Sequence, residues 1–193
     1  MSNINNTLFP LYKNVYFTRF FLGFGIIFLF LFIDELKAQQ KTASKNKGQY
    51  QCIPCGYDCD KVTYDKDGKC GSCQMDLVKK STIHFKTIQP GEICEYIKKH
   101  SSVILLDVRT KIEFEGKADP NFGGLQNAIN IPIQELENRL SQIQSKKNKE
   151  IIVFCSHSHR SPQASYILGQ NGFTNVTNME GGMSVLKDNS CKK

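Results

Sequence analysis

The chain has 193 residues, 40% of them hydrophobic and 22% charged, and its 14 Gly bring the apolar share near that of ordinary globular proteins, which excludes collagen-like, wholly disordered and many-pass membrane classes. Lys and Arg outnumber Asp and Glu by 25 to 18, and the resulting +7 is spread without a long basic block, so it suits an anionic small substrate and gives no argument for nucleic acid. Eight Cys in so short a chain imply a disulfide framework, a metal site, a reactive thiol or a mixture, and only their spacing distinguishes these.

The chain opens on an aromatic, apolar stretch: eight of the 13 Phe precede residue 34, and Phe20 to Ile33 run for 14 positions without a charge. Lys13 and Arg19 precede the stretch, and Ala38 stands at a loose cleavage point, which is the layout of an export signal. The 19 positions from Val15 to Ile33 are also nearly long enough for a membrane-spanning helix, with Arg19 snorkelling. Residues 1–38 are therefore read as a signal peptide or a retained membrane anchor. Either one places the remainder outside the cytoplasm, in the periplasm or facing the exterior, because the positive flank stays inside. Residues 39–49 are polar and Lys-rich, cannot bury a core, and read as a linker.

Residues 50–80 hold five Cys. Cys52-x-x-Cys55 and Cys70-x-x-Cys73 are two short turns separated by 14 residues. Each turn points two thiolates at one ion, and together they complete a tetrahedron, so Cys52, Cys55, Cys70 and Cys73 are the candidate ligands of zinc or another soft heavy metal. The module has too few apolar residues to fold by burial alone, so a metal would supply much of its stability. Disulfides remain the alternative in an oxidising compartment. Cys59 is an extra thiol that could replace Cys55. Met75 is either a soft copper ligand or packing.

On Tyr50-x-Cys52 and Gly68-Lys69-Cys70-x-x-Cys73-x-Met75-x-Leu77-Val78, the segment resembles the short heavy-metal-binding, zinc-ribbon-like domain found beside copper-export proteins. Two positions depart from that family: Cys55 stands where a His is common, and Pro54 where a Met is usual. Both departures favour an all-thiolate zinc site over a copper-handling one.

From residue 81 the pattern changes to alternating strand and helix. Ile83 to Phe85 suggests an edge strand, and Pro90-Gly91-Glu92 opens a helix through Lys99 with Ile93, Cys94 and Ile97 on one face. Val103 to Leu106 and Ile151 to Phe154 are continuous apolar runs, as in strands buried on both faces of a parallel sheet. Helices are predicted over Glu135 to Gln144 and Gln163 to Gln170, the latter stopped by Gly172, and Ser145 to Glu150 reads as a solvated loop. The fold class is thus α/β, one mostly parallel sheet flanked by helices, preceded by the small cysteine-rich module.

In such sheets ligands bind at the carboxyl ends of strands. Cys155 stands there, followed by Ser156, His157, Ser158, His159, Arg160 and Ser161, with Ser161 as a helix cap and Pro162 as the first helical residue. Loop amides, the helix dipole and Arg160 all favour a nucleophilic thiolate, and the same cradle suits an oxyanion such as thiosulfate. Four residues separate Cys155 from Arg160, one fewer than a phosphatase loop has, which narrows the pocket toward a sulfur atom.

These residues resemble the rhodanese family. The likeness also covers Leu106-Asp107-Val108-Arg109 with Glu113-Phe114, Asn127-Ala128-Ile129-Asn130-Ile131-Pro132, and Glu180-Gly181-Gly182. It implies a sulfurtransferase that carries sulfane sulfur as a persulfide on Cys155, with Arg160 in the catalytic loop. Ser156, His157, Ser158, His159, Ser161 and Arg109 are the implied substrate-binding residues, Arg109 as a pocket-edge residue. The implied partners are a small sulfur-containing substrate and a thiol acceptor. No organic cofactor, no nucleic acid and no membrane beyond the N-terminal segment are expected. Two other readings stand beside this one: a non-catalytic metal-sensing or partner-docking module, and an arsenate or phosphate hydrolase using Cys155. His84 and His100 read as structural or exposed, Cys94 as core packing, and Cys191 as either a resolving thiol or a bystander in a polar tail.

Overall fold

A computed structural model describes residues 48–54, 57–118 and 122–193, together with Glu35 and Lys37. The segments read as signal or anchor and as most of the linker, and also Cys55, lie outside these residues. Among the described residues no helix is long and apolar enough to cross a membrane.

Four short strands build the cysteine-rich module: β1 (Tyr50–Cys52), β2 (Thr63–Tyr64), β3 (Gly68–Lys69) and β4 (Asp76–Lys79). They form an antiparallel sheet in the order β2-β1-β4-β3, with Cys52 opposite Leu77. The module's buried cluster is Cys52, Cys59, Cys70 and Leu77, with Tyr50, Tyr64 and Met75 packed against it. Met75 is therefore a packing residue. Leu77, Ile53 and a few half-covered side chains are too little apolar area to hold about thirty residues without a further tie.

The larger domain is built on β5 (Lys86–Ile88), β6 (Ile104–Asp107), β7 (Ile129–Asn130), β8 (Ile151–Phe154) and β9 (Val176–Met179). All neighbours are parallel, in the order β5-β9-β8-β6-β7. The two apolar runs lie side by side in the middle, with Leu106 opposite Val153 and Leu105 opposite Ile152. Alternation across the pleat sends them to opposite faces: Leu106, Ile151 and Val153 join one core, and Leu105, Ile152 and Phe154 the other. That is why these strands read as continuous apolar runs.

Helices cover both faces: α1 (Ile93–Lys99), α2 (Lys111–Phe114), α3 (Leu136–Arg139) and α4 (Arg160–Gln170). A 3-10 turn at Pro90–Glu92 leads into α1, where the Gln89 amide donates to the Glu92 carboxylate and the Glu92 amide to the Gln89 carbonyl. Predicted and observed elements differ in four places. The edge strand sits at Lys86–Ile88 and not at Ile83 to Phe85, because Ile83 closes a 3-10 turn over Lys80–Thr82 while Lys86 to Ile88 pair with Thr177 to Met179. The helix expected over Glu135 to Gln144 is one α-turn continued as a 3-10 helix over Leu140–Lys146. β9 carries Thr177 and Asn178 and gave no apolar run, although both are buried. Helix α4 starts at Arg160 with His159 as its cap, so neither Ser161 nor Pro162 opens it.

The tail is also part of the fold. Cys94 and Cys191 form a disulfide across 97 residues, Leu125 bridges Lys192, and the Lys193 amide donates to the Gly124 carbonyl. Cys94 is buried as its helix face requires, but it is a bonded half-cystine and not a core thiol, and Cys191 is neither a bystander nor a resolving thiol for Cys155.

Candidate active site and cysteine centre

Cys155 follows the last residue of β8, at the carboxyl end of a central strand, and is 1% exposed. Its Sγ lies 3.4 Å from the Ser161 hydroxyl. Between them the loop turns through Ser158, whose φ of 62° is in the left-handed region. A non-glycine residue there costs about 1 kcal/mol or more, so the surrounding contacts must enforce the conformation. Ser156, Ser158 and Ser161 are buried within the loop, whereas His157 and His159 are exposed at its mouth.

The base of the loop is strapped by the Gly181-Gly182 turn. The Met183 amide donates to the Cys155 carbonyl at 2.8 Å, and the Ser184 amide to the Ser156 carbonyl at 2.9 Å. Gly182 has φ +66°, and a Cβ there would collide with the Cys155 and Ser156 carbonyl oxygens. Glycine is required for this close approach.

Arg160 points at an acid that the loop sequence does not contain. Its Nη1 and Nη2 each donate to a Glu113 carboxylate oxygen at 2.7 Å. Ser156 Oγ donates to the same carboxylate at 2.9 Å, and Arg160 Nη2 reaches Ser156 Oγ at 3.2 Å. Glu113 also caps α2 reciprocally with Thr110. The Arg160 guanidinium, helped by Thr110 and Ser156, holds Glu113 well below the usual carboxylate range. Glu113, and to a lesser degree Cys155, push Arg160 upward, so it stays a cation. The cradle thus pairs its cation with a carboxylate, and the pair fixes loop shape as much as it attracts anions. In the sequence Glu113 stands out only within the family likeness, and nothing there points to its reach to Arg160; the Thr110-x-x-Glu113 capping pattern is the one local signal that marks it.

Arg109 stands apart from this cradle. It is 1% exposed, is ion-paired with Asp107 at 2.7 Å, and donates to the Gly123 carbonyl at 2.8 Å. Its Nε and backbone amide also bond Asp107, and the Asn130 amide caps the Asp107 and Arg109 carbonyls. A guanidinium so enclosed presents no face to a dissolved donor, and it clamps the end of β6 to the Gly123 segment.

The mouth is rimmed by rings. Phe122 meets His157 edge-on at 5.2 Å, and Tyr57, from the cysteine-rich module, stacks on His159 at 4.4 Å.

In the module, Cys52, Cys59, Cys70 and Cys73 bring their sulfurs within 4.8 Å of one another. A tetrahedral centre with metal–sulfur bonds near 2.3 Å separates its sulfurs by about 3.8 Å. The 3.0 Å between Cys52 and Cys73 and the 4.8 Å limit bracket that value, so the donor set fits a metal ion. Backbone N–H groups of Cys73 and Ser72 lower the Cys70 thiol to about 6, while burial pushes Cys52 up. The structure thus brings together three of the four predicted ligands. Among the described residues, Cys59 is the fourth, carried in by the 3-10 turn Asp58–Lys61, and Cys55 lies outside them.

The family model of the rhodanese-like domain matches residues 90–189. "Uncharacterized protein YqhL" of Bacillus subtilis is 37% identical over 78 residues, which are 40% of this chain and 56% of that relative. A "tRNA uridine(34) hydroxylase" of Photorhabdus laumondii is 28% identical over 120 residues, 56% of this chain and 32% of that protein. The chain therefore spans about half of the first relative's length and about a third of the second's. Among solved structures, a rhodanese-related protein of Thermoplasma volcanium is 31% identical, with 53% of this chain and 90% of that one covered at a TM-score of 0.44. The family match takes in more than half of the chain and contains four of the five parallel strands, β6 to β9, the strand-end Cys155 loop and its Gly-Gly strap: the chain belongs to the rhodanese-like family.

Proposed function

We propose that the protein is a sulfurtransferase carrying sulfane sulfur on Cys155. The observation that carries this reading is the buried Cys155 thiol at the end of β8, enclosed by a loop that the Arg160–Glu113 pair and the Gly182 strap hold in a strained turn. In the first half-reaction the Cys155 thiolate attacks the outer sulfur of a donor such as thiosulfate. The donor's S–S bond breaks, sulfite leaves with the electron pair, and Cys155 holds a persulfide. In the second, a thiolate or other thiophilic acceptor attacks the terminal sulfur and Cys155 leaves as thiolate. The α4 N-terminus and the remaining N–H groups of Arg160 stabilise the negative charge that moves between these sulfurs. The partners on this reading are a small sulfur donor and a thiol acceptor.

The four-thiol centre is read as a structural zinc or other soft-metal site, the metal serving as the tie that the small module's core lacks. The location proposed is outside the cytoplasm. The Cys94–Cys191 disulfide supports it, because reducing compartments rarely keep such a bond. Four close thiols in the same chain survive there best under a metal.

The test is thiosulfate treatment of the full chain, followed by peptide mass spectrometry. The Cys155 peptide gains one sulfur atom, cyanide removes it, and Cys155→Ser takes up none. A wild-type protein that never gains a cyanide-labile sulfur would leave the docking-module reading in its place.

A further inference from the structure

Among the described residues, Tyr57 of the cysteine-rich module contacts His159 of the Cys155 loop. Tyr57 Oη and His159 Nε2 are 2.6 Å apart, and their rings stack 4.4 Å centre to centre at 17°. His159 caps α4, directly precedes Arg160 and follows the strained Ser158. Tyr57 caps the 3-10 turn Asp58–Lys61, in which Cys59 is the buried residue. The turn's ion pair, Lys61–Asp58, is almost fully in solvent, so it anchors little. Cys59, the buried residue of this turn, stands among the other three sulfurs, and this ties the turn, and Tyr57 with it, to the centre. At the other end of α4, Thr82 contacts the Tyr166 hydroxyl and its carbonyl accepts from Gln170, so the module's exit is fixed independently of Tyr57.

We infer that Tyr57 is a positioning residue through which metal loading of the Cys52, Cys59, Cys70 and Cys73 centre sets the conformation of the Cys155 loop. With metal bound, Cys59 is held, the turn is fixed, and the Tyr57 ring keeps His159 in place beside Arg160. Without metal, four crowded thiols have no common partner. The turn then loosens, Tyr57 leaves His159, and the loop opens around Cys155. The inference rests on the sulfurtransferase reading only for its consequence, since the coupling itself is a matter of loop geometry.

The experiment measures the alkylation rate of Cys155 by iodoacetamide, followed on its own peptide by mass spectrometry. It uses the full chain loaded with zinc(II) and again after chelator treatment. Chelation is expected to speed Cys155 alkylation of wild type by about fivefold, the scale of one lost hydrogen bond and ring stack. Tyr57→Ala, at a residue 54% exposed and free of core packing, should react in the zinc-loaded state at the stripped wild-type rate and ignore chelation. Tyr57→Phe keeps the stack and should recover part of the response. The chain has no Trp, so Tyr57→Trp gives a second readout: a single indole emission that shifts on zinc removal. An unresponsive wild type, or a Tyr57→Ala protein that responds as wild type does, would overturn the inference. So would loss of zinc from both Tyr57→Ala and Tyr57→Phe, which would place Tyr57 in the metal site itself. If alkylation responds as expected but thiosulfate never loads sulfur, the coupling stands and the sulfurtransferase reading falls.

Discussion

Glu113 and Arg160 meet fork to fork, two 2.7 Å bonds across 47 residues of sequence, with side chains only 21% and 27% exposed. The pair joins the start of α2 to the start of α4 and makes the cation of the Cys155 loop part of a neutral unit. Glu113→Gln removes the charge and leaves Arg160 without its partner. A charged hydrogen bond is worth about 1.5–3 kcal/mol, so sulfur loading of Cys155 should fall roughly 10- to 100-fold. The pH dependence has a fixed sign. Glu113 sits below its ordinary value of 4.5, so its contribution to stability is present above that value and is lost as pH falls through and below it. The gap in thermal stability between wild type and Glu113→Gln should be full at neutral pH and narrow below about 4.5. A gap that stays constant down to strongly acidic pH would show that the carboxylate's charge is not what Arg160 needs.

Gly182→Ala tests the strap. The substitution combines a left-handed backbone, worth about 1–2 kcal/mol, with a collision against two backbone carbonyls that cannot move aside. Unfolding should shift down by roughly 5–10 °C, and Cys155 should lose sulfur uptake as its carbonyl is displaced. Gly91→Ala is the comparison, since nothing lies within 4 Å of its Cβ position. Its midpoint should stay within a degree or so of wild type.

The Cys94–Cys191 disulfide closes a loop of 97 residues. Replacing both by Ser should lower stability by about 2–4 kcal/mol, read by urea unfolding. Hydrogen exchange at the Lys193 and Gln126 amides, which bond Gly124 and Cys191, should quicken as the tail comes free. Sulfur loading on Cys155 should persist. Its loss would mean that the tail takes part in the site.

The cysteine centre gives a direct comparison. Cys59→Ser should lower the zinc content of the purified chain to a small fraction of wild type, and Cys55→Ser should retain it, because Cys59 is the thiol that stands with Cys52, Cys70 and Cys73. Equal zinc in both variants would make the two thiols interchangeable.

Much of this arrangement was legible in the residues alone. Ile151 to Phe154 read as a buried strand because every position is apolar, as suits a strand covered by helices on both faces. Cys155 was legible for the same reason, as the first polar position beyond that strand, with a helix start and an Arg following at short spacing. β9 was not legible: its Thr177 and Asn178 are tolerated in the interior by neighbouring strands on both sides, which local pattern does not record.

Contacts between distant segments were beyond the sequence. Spacing favours Cys55, which completes a C-x-x-C turn with Cys52, over the extra thiol Cys59, and it is the folding of a 3-10 turn that brings Cys59 inward. Arg109 and Arg160 look alike as donor-binding cations, until burial commits one to Asp107 and an ion pair commits the other to Glu113. Cys94 and Cys191 become partners because the chain returns along the Gly124–Gln126 segment. The sequence by itself determined the parallel α/β domain, the placing of Cys155 at a strand end and the cysteine-rich character of the module, since periodicity and short spacing are local properties. Which charges are neutralised, which thiols meet, and the contact of Tyr57 with His159 across 102 residues were decided only by tertiary packing, because each depends on the relative placement of elements far apart in the chain.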